Sequence, residues 1–394
     1  MQQPFENNCH DVSNLYKYMN ALNRNKLFWE ITPLLTYNKP IMAITSGRSI
    51  GKSTNVASFV LLDYIVNKFE FIYTRRTDKE LVLTRDTFFD NAIVLINREI
   101  KNIFIKEIKI ESNHYTLMYC YNEDGSPVTE EQKLECMVGE CGIAIPLNLE
   151  GQYKSNAFPP IGTIIYDEFM PKDRTKYLGS MDKDPEKEPR LFNSLYGTVD
   201  RGVDVPFASR TRVILLGNTE TIYNPFFVHW GIIPYLYKDQ KAKIISPKDK
   251  VWLLNRVEGV EATSHFKSTI LYAISSDIDK KYNFENDGGD DFNQDWIETP
   301  PRNAIHKLFL RLDNKTYQVM QVANEFYIVK YSGKPYDRVI SLDFSSFARH
   351  DFAMIKRWHS NIQLVCIHDA FLRGCLYFDS PATRNALTTY LALV

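Results

Sequence analysis

Several features are scarce in this sequence, and each scarcity removes a class of protein. Cysteine is sparse: six residues in 394, at Cys9, Cys120, Cys136, Cys141, Cys366 and Cys375, with no CxxC pair. Only Cys136 and Cys141 lie close along the chain. Scattered thiols exclude a disulfide scaffold or a zinc ribbon and fit a reducing compartment. A surplus of one charge is missing too, since 47 Lys and Arg against 48 Asp and Glu leave a net charge of −1. That argues against a surface coated with nucleic-acid-binding charge. It still allows a few lysines in a channel that several subunits share. No run approaches the roughly 18 consecutive apolar residues of a membrane span. The opening residues, MQQPFENNCHDVSN, hold no apolar signal core, so export is not expected. What remains is ordinary globular composition in a chain long enough for two domains and a sizeable core.

Against that plain background one segment stands out, IMAITSGRSIGKST at 41–54. An apolar run leads into a glycine-containing loop, and the loop opens a stretch, 55–66, that is apolar at helical spacing. This is the pattern of a phosphate-binding P-loop. Successive backbone N–H groups of Gly47, Arg48, Ser49, Ile50, Gly51, Lys52, Ser53 and Thr54 would cradle the phosphates. Lys52 would reach the β- and γ-phosphates, and the hydroxyl of Ser53 would take Mg²⁺. The chain departs from the usual G-x-x-x-x-G-K-[ST] at one place: Ser46 stands at the first glycine, and Gly47 follows it. The cofactors expected are ATP and Mg²⁺.

Further along, strand-like and helix-like segments alternate. Residues 11–37 read as helical and aromatic-rich, 41–45 as a strand, 52–67 as a helix and 69–74 as a strand ending in Arg75-Arg76. Residues 78–98 read as a helix, 101–120 as a hairpin and 133–147 as one more strand. Then come strand-like runs at 161–169 and 212–218, with a helix at 188–200 between them. Such alternation predicts an α/β fold, a doubly wound and mainly parallel sheet. After Pro225 the pattern changes. Residues 236–256 are lysine-rich, and 276–298 are acidic with Gly and Asn, which reads as exposed loop or linker. Short β-type runs resume in KLFLRL, YQVMQV, EFYIVKY and RVISLDF, and a helix is expected at 381–393, together a smaller α+β domain.

The run IGTIIYDEF at 161–169 carries four apolar residues, Ile161, Ile164, Ile165 and Tyr166, into Asp167-Glu168. After a P-loop this fits the carboxylate strand of an ATPase. Asp167 would order Mg²⁺ through water, and Glu168 would polarise the attacking water. In RVILLGNTE, Asn218 sits where a γ-phosphate sensor would sit, on the ligand edge of a parallel sheet; the competing reading is a Gly-Asn turn. An arginine finger could come from Arg190, Arg201, Arg210 or Arg212. Arg201 is favoured because its loop, YGTVDRGVD, can reach a neighbouring subunit.

Taken in order, GRSIGKST, YTRRTDKEL, GQYKSNAFP, IIYDEF, TVDRG, LLGNTETIYNPFF and AFLRGCLYFDSPATRNAL resemble the DNA encapsidation ATPases. These are the genome-packaging motors of small protein-primed podophages, a branch of the terminase large-subunit class. The resemblance covers most of the chain, except 180–190 and parts of 230–300. It implies an ASCE-type P-loop NTPase domain over 1–234, a linker region over 235–299 and, over 300–394, a degenerate RNase H-like domain binding DNA or portal. It makes Arg201 the trans-acting arginine, gives Arg76 and Lys79 a part in signalling between subunits, and gives Lys154 a place near nucleotide or DNA. It implies a homo-oligomeric ring, a pentamer, docked from the host cytoplasm on the portal of a procapsid. The ring would drive double-stranded DNA inward, in some members with a packaging RNA and with no membrane.

The tail aspartates, Asp313, Asp343, Asp351, Asp369 and Asp379, show no clustered acidic pattern, and a two-metal nuclease needs several converging carboxylates. Nuclease activity is therefore not expected. Binding through Arg349, Lys356, Arg357 and Arg373 is. Two rivals stay open: a cellular FtsK/HerA-like or helicase-type translocase, and a P-loop scaffold that binds nucleic acid without turnover.

Overall fold

The apolar run before the glycine loop becomes strand β1 (Ile41–Ser46), and its burial explains its composition. In the computed structural model β1 is paired in parallel on both sides, with β7 (Arg212–Asn218) and β9 (Trp252–Val257). Strands covered on both faces read as continuous apolar runs rather than alternating ones. β1, β6 (Ile161–Asp167) and β7 are buried almost end to end, and only the first residue of β1 and the last residues of β6 and β7 begin to emerge.

The structure describes residues 9–23, 28–46, 50–154, 156–171, 176–179, 186–200, 211–218, 224–232, 235, 242–257, 297–312, 315–342, 361–372 and 375–392. The chain divides into two compact units. One holds Met1–Lys172, Glu188–Glu220 and Lys241–Gly288, and the other holds Asp173–Lys187, Thr221–Gln240 and Gly289–Val394.

The first unit is built on a nine-stranded sheet in the order β3-β4-β5-β2-β6-β7-β1-β9-β8. The remaining strands are β2 (Glu70–Arg75), β3 (Ile103–Glu111), β4 (His114–Tyr121), β5 (Met137–Pro146) and β8 (Ile244–Ile245). From β5 to β9 every neighbouring pair is parallel. The hairpin β3–β4 and the short β8 pair antiparallel at the two edges. β7 lies between β1 and β6, so the loop strand and the carboxylate strand are held one strand apart. Ser46 is in register with Asn218, and Asp167 with Leu216. Four strand tips, from β2, β6, β7 and β1, therefore end side by side at the carboxyl edge of the sheet. Open α/β sheets bind their ligands there.

Helices α1 (Tyr16–Leu22), α2 (Thr32–Leu35), α3 (Lys52–Asn67), α4 (Asp78–Thr84), α5 (Asp90–Glu99) and α6 (Lys187–Val199) belong to this unit or open onto it. α3 is buried on nearly every side from Val56 to Ile65, which suits a helix under a central sheet. α4 opens on a capping box, where the Thr77 side chain accepts the Glu80 N–H and the Glu80 side chain accepts the Thr77 N–H. That cap ends β2 and fixes where Arg75 and Arg76 emerge.

Three expectations shift here. The helix expected over 11–37 is two short helices, the second restarting at Thr32-Pro33 with proline in its first turn. The helix expected over 78–98 breaks after Thr84, because Phe88 and Phe89 turn inward onto Tyr73, Phe71 and Tyr115. Residues 252–257, which fall in the span assigned to the linker, form β9 beside β1, so the sheet runs past residue 234. The six cysteines are free thiols, and their spatial neighbours do not follow their spacing. Cys120 Sγ lies 2.7 Å from Cys136 Sγ, whereas Cys141 is buried against the Tyr115 carbonyl.

The second unit has a five-stranded sheet in the order β13-β10-β11-β12-β14. β10 (Ile305–Leu312), β11 (Lys315–Val322) and β12 (Glu325–Tyr331) form an antiparallel meander. β13 (Val339–Ser341) joins β10 in parallel, and β14 (Leu376–Phe378) joins β12 in parallel. Helices α7 (Pro225–His229), α8 (Ile362–Leu372) and α9 (Pro381–Ala392) complete its described part. This is the small α+β architecture expected for the tail. Among the described residues no helix is long and apolar enough to cross a membrane.

Candidate nucleotide site

At the carboxyl edge of the large sheet one cleft is lined by Lys52, Ser53, Arg75, Asp167, Glu168, Leu216, Gly217 and Asn218. Lys52 begins α3, directly after Gly51, whose φ of +83° is left-handed. A side chain at position 51 would also meet Phe28 at 3.0 Å, so glycine is required there on two counts. The Lys52 ammonium donates to Ser46 Oγ at 3.0 Å and to Asn218 Oδ1 at 2.8 Å. Ser46, which replaces the usual first glycine, thus helps to aim the lysine. Asn218 is a direct partner of Lys52, and Gly217 before it is packed against Phe169 and Met170. Ile50 is buried and accepts a hydrogen bond from the Trp29 amide, which ties down the end of the loop. Gly47, Arg48 and Ser49 lie outside the described residues; Thr54 lies in the first turn of α3.

The acidic half of the cleft is organised by arginine. Arg75 Nη1 lies 3.1 Å from Asp167 Oδ2, and Arg75 Nη2 lies 2.9 Å from Glu168 Oε2. One guanidinium holds both carboxylates, a geometry that suits its fork. Tyr73 adds a hydrogen bond to Asp167 Oδ2 at 3.3 Å. Burial pushes the Asp167 carboxyl above its usual range, while the charges of Arg75 and Lys52 pull it back only in part. Burial likewise works against charge on Arg75, but Asp167, Tyr73 and Glu168 outweigh it, and the guanidinium is held more firmly protonated than usual. Glu168 is the more open of the two acids, with 46 % of its side chain exposed against 17 % for Asp167. Its backbone is left-handed at φ +59°, a conformation non-glycine residues seldom adopt.

The donor set suits a hard divalent cation. Ser53 and Asp167 offer one hydroxyl and one carboxylate, and Mg²⁺ typically takes one or two carboxylates together with substrate phosphates. Among the described residues no group of three or more His, Cys, Asp or Glu could hold a metal without such help.

Lys52, Ser53, Asp167, Glu168 and Asn218 are therefore brought together. Arg76 is buried beside them and turns inward. Lys79 is exposed on the first turn of α4. Lys154 is half exposed after the turn Leu147–Tyr153, 3.3 Å from the buried Glu150. Neither lines the cleft. Arg201 lies outside the described residues. Arg75 is the functional residue that sequence reasoning passed over. Its one local sign is a charged residue at the end of a buried strand.

Comparison with known proteins gives the chain's family and fold. The family of the podovirus DNA encapsidation protein (Gp16) matches residues 132–392, well over half of the chain. The chain belongs to that family. The DNA packaging protein of Bacillus phage phi29 is 29% identical over 213 residues, covering 54% of this chain and 52% of that protein. The DNA packaging protein of Bacillus phage B103 is 29% identical over 209 residues, 52% of each chain. The chain thus spans about half the length of the curated relatives it matches. Two solved structures share the fold over 93% of the chain: the Phi-28 gp11 DNA packaging motor, at TM-score 0.57 and 18% identity, and the bacteriophage Phi-29 genome packaging motor assembly, at 0.54 and 22%. These matches cover 97% and 100% of the solved chains.

Proposed function

We propose that this encapsidation-family protein is an ATPase motor that drives double-stranded viral DNA into a preformed procapsid. The observation that carries the reading is the convergence of Lys52, Asn218, Asp167 and Glu168 on one cleft at four adjacent strand tips. In this reading Lys52 binds the β- and γ-phosphates, exchanging Ser46 and Asn218 for phosphate oxygens. Ser53 and Asp167 would hold Mg²⁺, which would supply neutralisation of the phosphate charge. Asn218, released by Lys52, reports on the γ-phosphate. Glu168 polarises the attacking water. Arg75 is paired with both acids, and Glu168 must leave it before it can act as a base.

Arg201 from a neighbouring subunit would stabilise the transition-state charge, a role worth roughly 10³–10⁵ in rate. Arg201→Ala subunits mixed with Glu168→Gln subunits should regain turnover at hybrid interfaces, and mixtures no faster than either parent would exclude a finger in trans. The proposed assembly is a ring, a pentamer, working at the portal from the host cytoplasm, and in some members of the class a packaging RNA joins it. DNA contact is assigned to Lys154 and the lysines of 238–250. It is to phosphates, since a packaging motor must accept any sequence. The small unit is proposed as a degenerate RNase H-like domain that binds without cutting. The deciding experiment offers purified procapsids, duplex DNA and ATP to the protein and measures nuclease-protected DNA. ATP turnover that ignores procapsids would favour a cellular-type translocase, and no turnover at all would favour a scaffold.

A further inference from the structure

The residue beside Arg75 has a second task. The Arg76 side chain is 2% exposed and that of Glu188 is fully buried. Arg76 Nε faces both carboxylate oxygens of Glu188, at 3.2 and 3.0 Å. Its Nη2 donates to the backbone carbonyls of Glu168, at 3.2 Å, and Phe169, at 3.1 Å. Nη1 lies 3.7 Å from Glu80. Tyr166, one residue before the acid pair, donates its hydroxyl to Glu188 Oε1 at 2.5 Å.

A buried ion pair is weak evidence for stability, because desolvation of the two charges offsets their attraction. The conformation of Glu168 suggests what this pair is for. A glutamate at φ +59° persists only where its surroundings over-determine it. Here they do. The Phe169 N–H donates to the Leu216 carbonyl of β7 at 3.1 Å, and Arg76 captures the two carbonyls on either side of that amide. The turn after Asp167 is thus gripped from both flanks, and the Glu168 side chain is thrown into the cleft toward Arg75.

We infer that Arg76 and Glu188 form a positioning device that sets the backbone of Glu168 for catalysis and ties it to helix α6. Two adjacent arginines divide the work: Arg75 holds the carboxylates of Asp167 and Glu168, and Arg76 holds the main chain that carries Glu168. Because Glu188 lies in the first turn of α6, a shift of that helix is passed to the catalytic glutamate through one guanidinium. The inference rests on the ATPase reading above and goes beyond it in assigning a role to Glu188.

The test uses the full chain with Arg76→Lys and Glu188→Gln. Lysine keeps the charge but cannot reach two carbonyls and a carboxylate together; glutamine keeps the shape but loses the charge and, because its amide nitrogen only donates, one of the two oxygens that accept from Arg76 Nε. Active sites are counted by binding of a non-hydrolysable ATP analogue, and turnover is expressed per competent site. Arg76→Lys should lower kcat per site about ten- to a hundredfold, with analogue affinity within about threefold of wild type. Glu188→Gln should fall between the two. A merely structural pair would reduce the number of competent sites and leave turnover per site unchanged, and that result overturns the inference. Should Arg76→Lys prove too unstable to assay, Glu188→Gln alone decides, because wild-type turnover per site in that variant is equally incompatible with it. A wild-type chain that binds no ATP analogue would overturn the site reading beneath it instead.

Discussion

The two sheets of this chain treat their strand ends in opposite ways. In the large sheet, four neighbouring parallel strands end together in Arg75, Asp167, Asn218 and Ser46; Arg75 pairs with Asp167, and Lys52 bridges Ser46 and Asn218. Charge there is stacked against burial: Lys52, Arg75 and Arg76 are each less than a tenth exposed. In the small sheet, the acids at described strand ends serve the fold. Asp379 follows β14 and accepts the Lys330 amide at 2.8 Å, and Ser380 next to it accepts the Thr383 N–H as α9 begins. Asp337 lies 3.4 Å from His306. Parallel strands point their carboxyl ends the same way and so can pool functional groups, whereas an antiparallel meander sends alternate ends apart.

The sharpest test of that contrast removes the groups at the large sheet's edge. Glu168→Gln should bind ATP and lose turnover by about 10²–10⁴, the usual value of a general base. Normal turnover in that variant would strip the cleft of its proposed chemistry. Lys52→Ala should lose about 2–5 kcal/mol of nucleotide affinity, as expected when a buried, hydrogen-bonded charge is truncated. Equilibrium titration with a fluorescent ATP analogue reads this directly, and an unchanged affinity would mean the phosphates bind elsewhere.

A subtler effect concerns Arg75. Burial raises the Asp167 carboxyl above its ordinary range, and Arg75 is the main influence pulling it down. In the proposed mechanism Asp167 must be ionised to hold Mg²⁺, so activity should be lost as pH falls through this raised pKa. The acid limb of kcat/KM, which reports the free enzyme, should therefore lie above the range of an exposed aspartate. Arg75→Gln removes the lowering influence and should move that limb to higher pH. A limb that stays in place, or moves down, would show that Arg75 does not govern Asp167.

Much of this edge was legible because P-loop chemistry leaves local marks. GKST after an apolar run and DE after another fix Lys52 and Asp167-Glu168 within their own short windows, and β1, α3 and β6 lie within a residue or two of where periodicity puts them. What was illegible depends on tertiary neighbours. Arg75 reads as the polar end of a strand; only the parallel pairing of β2 with β6 brings it to the acids. β9 is a short apolar run beside lysines, and nothing local says that it pairs with β1 across more than 200 residues of sequence. α4 and α5 read as one helix because the break depends on Phe88 and Phe89 finding Tyr73 and Phe71. In the tail, α8 is apolar almost throughout, and its periodicity could not separate a buried helix from a strand.

The smallest expected effect lies in the small sheet. If Asp379 is a structural bracket, Asp379→Ala should lose the hydrogen bond to the Lys330 amide at an exposed site, a cost of about 0.5–1.5 kcal/mol in unfolding free energy. ATP turnover should be unchanged, since the residue is not among those lining the nucleotide cleft. The wild-type protein should also leave supercoiled plasmid uncut in Mg²⁺ or Mn²⁺, because two-metal cleavage needs carboxylates that converge, and Asp379 already spends its oxygens on the Lys330 amide and the Ser380 hydroxyl. Asp313, Asp343 and Asp351 lie outside the described residues, so the plasmid assay carries the question for them. Cutting that disappears on Asp313→Ala or Asp343→Ala would make this unit a live nuclease. The contrast between the two sheets would then be one of two active edges, each with its own metal chemistry.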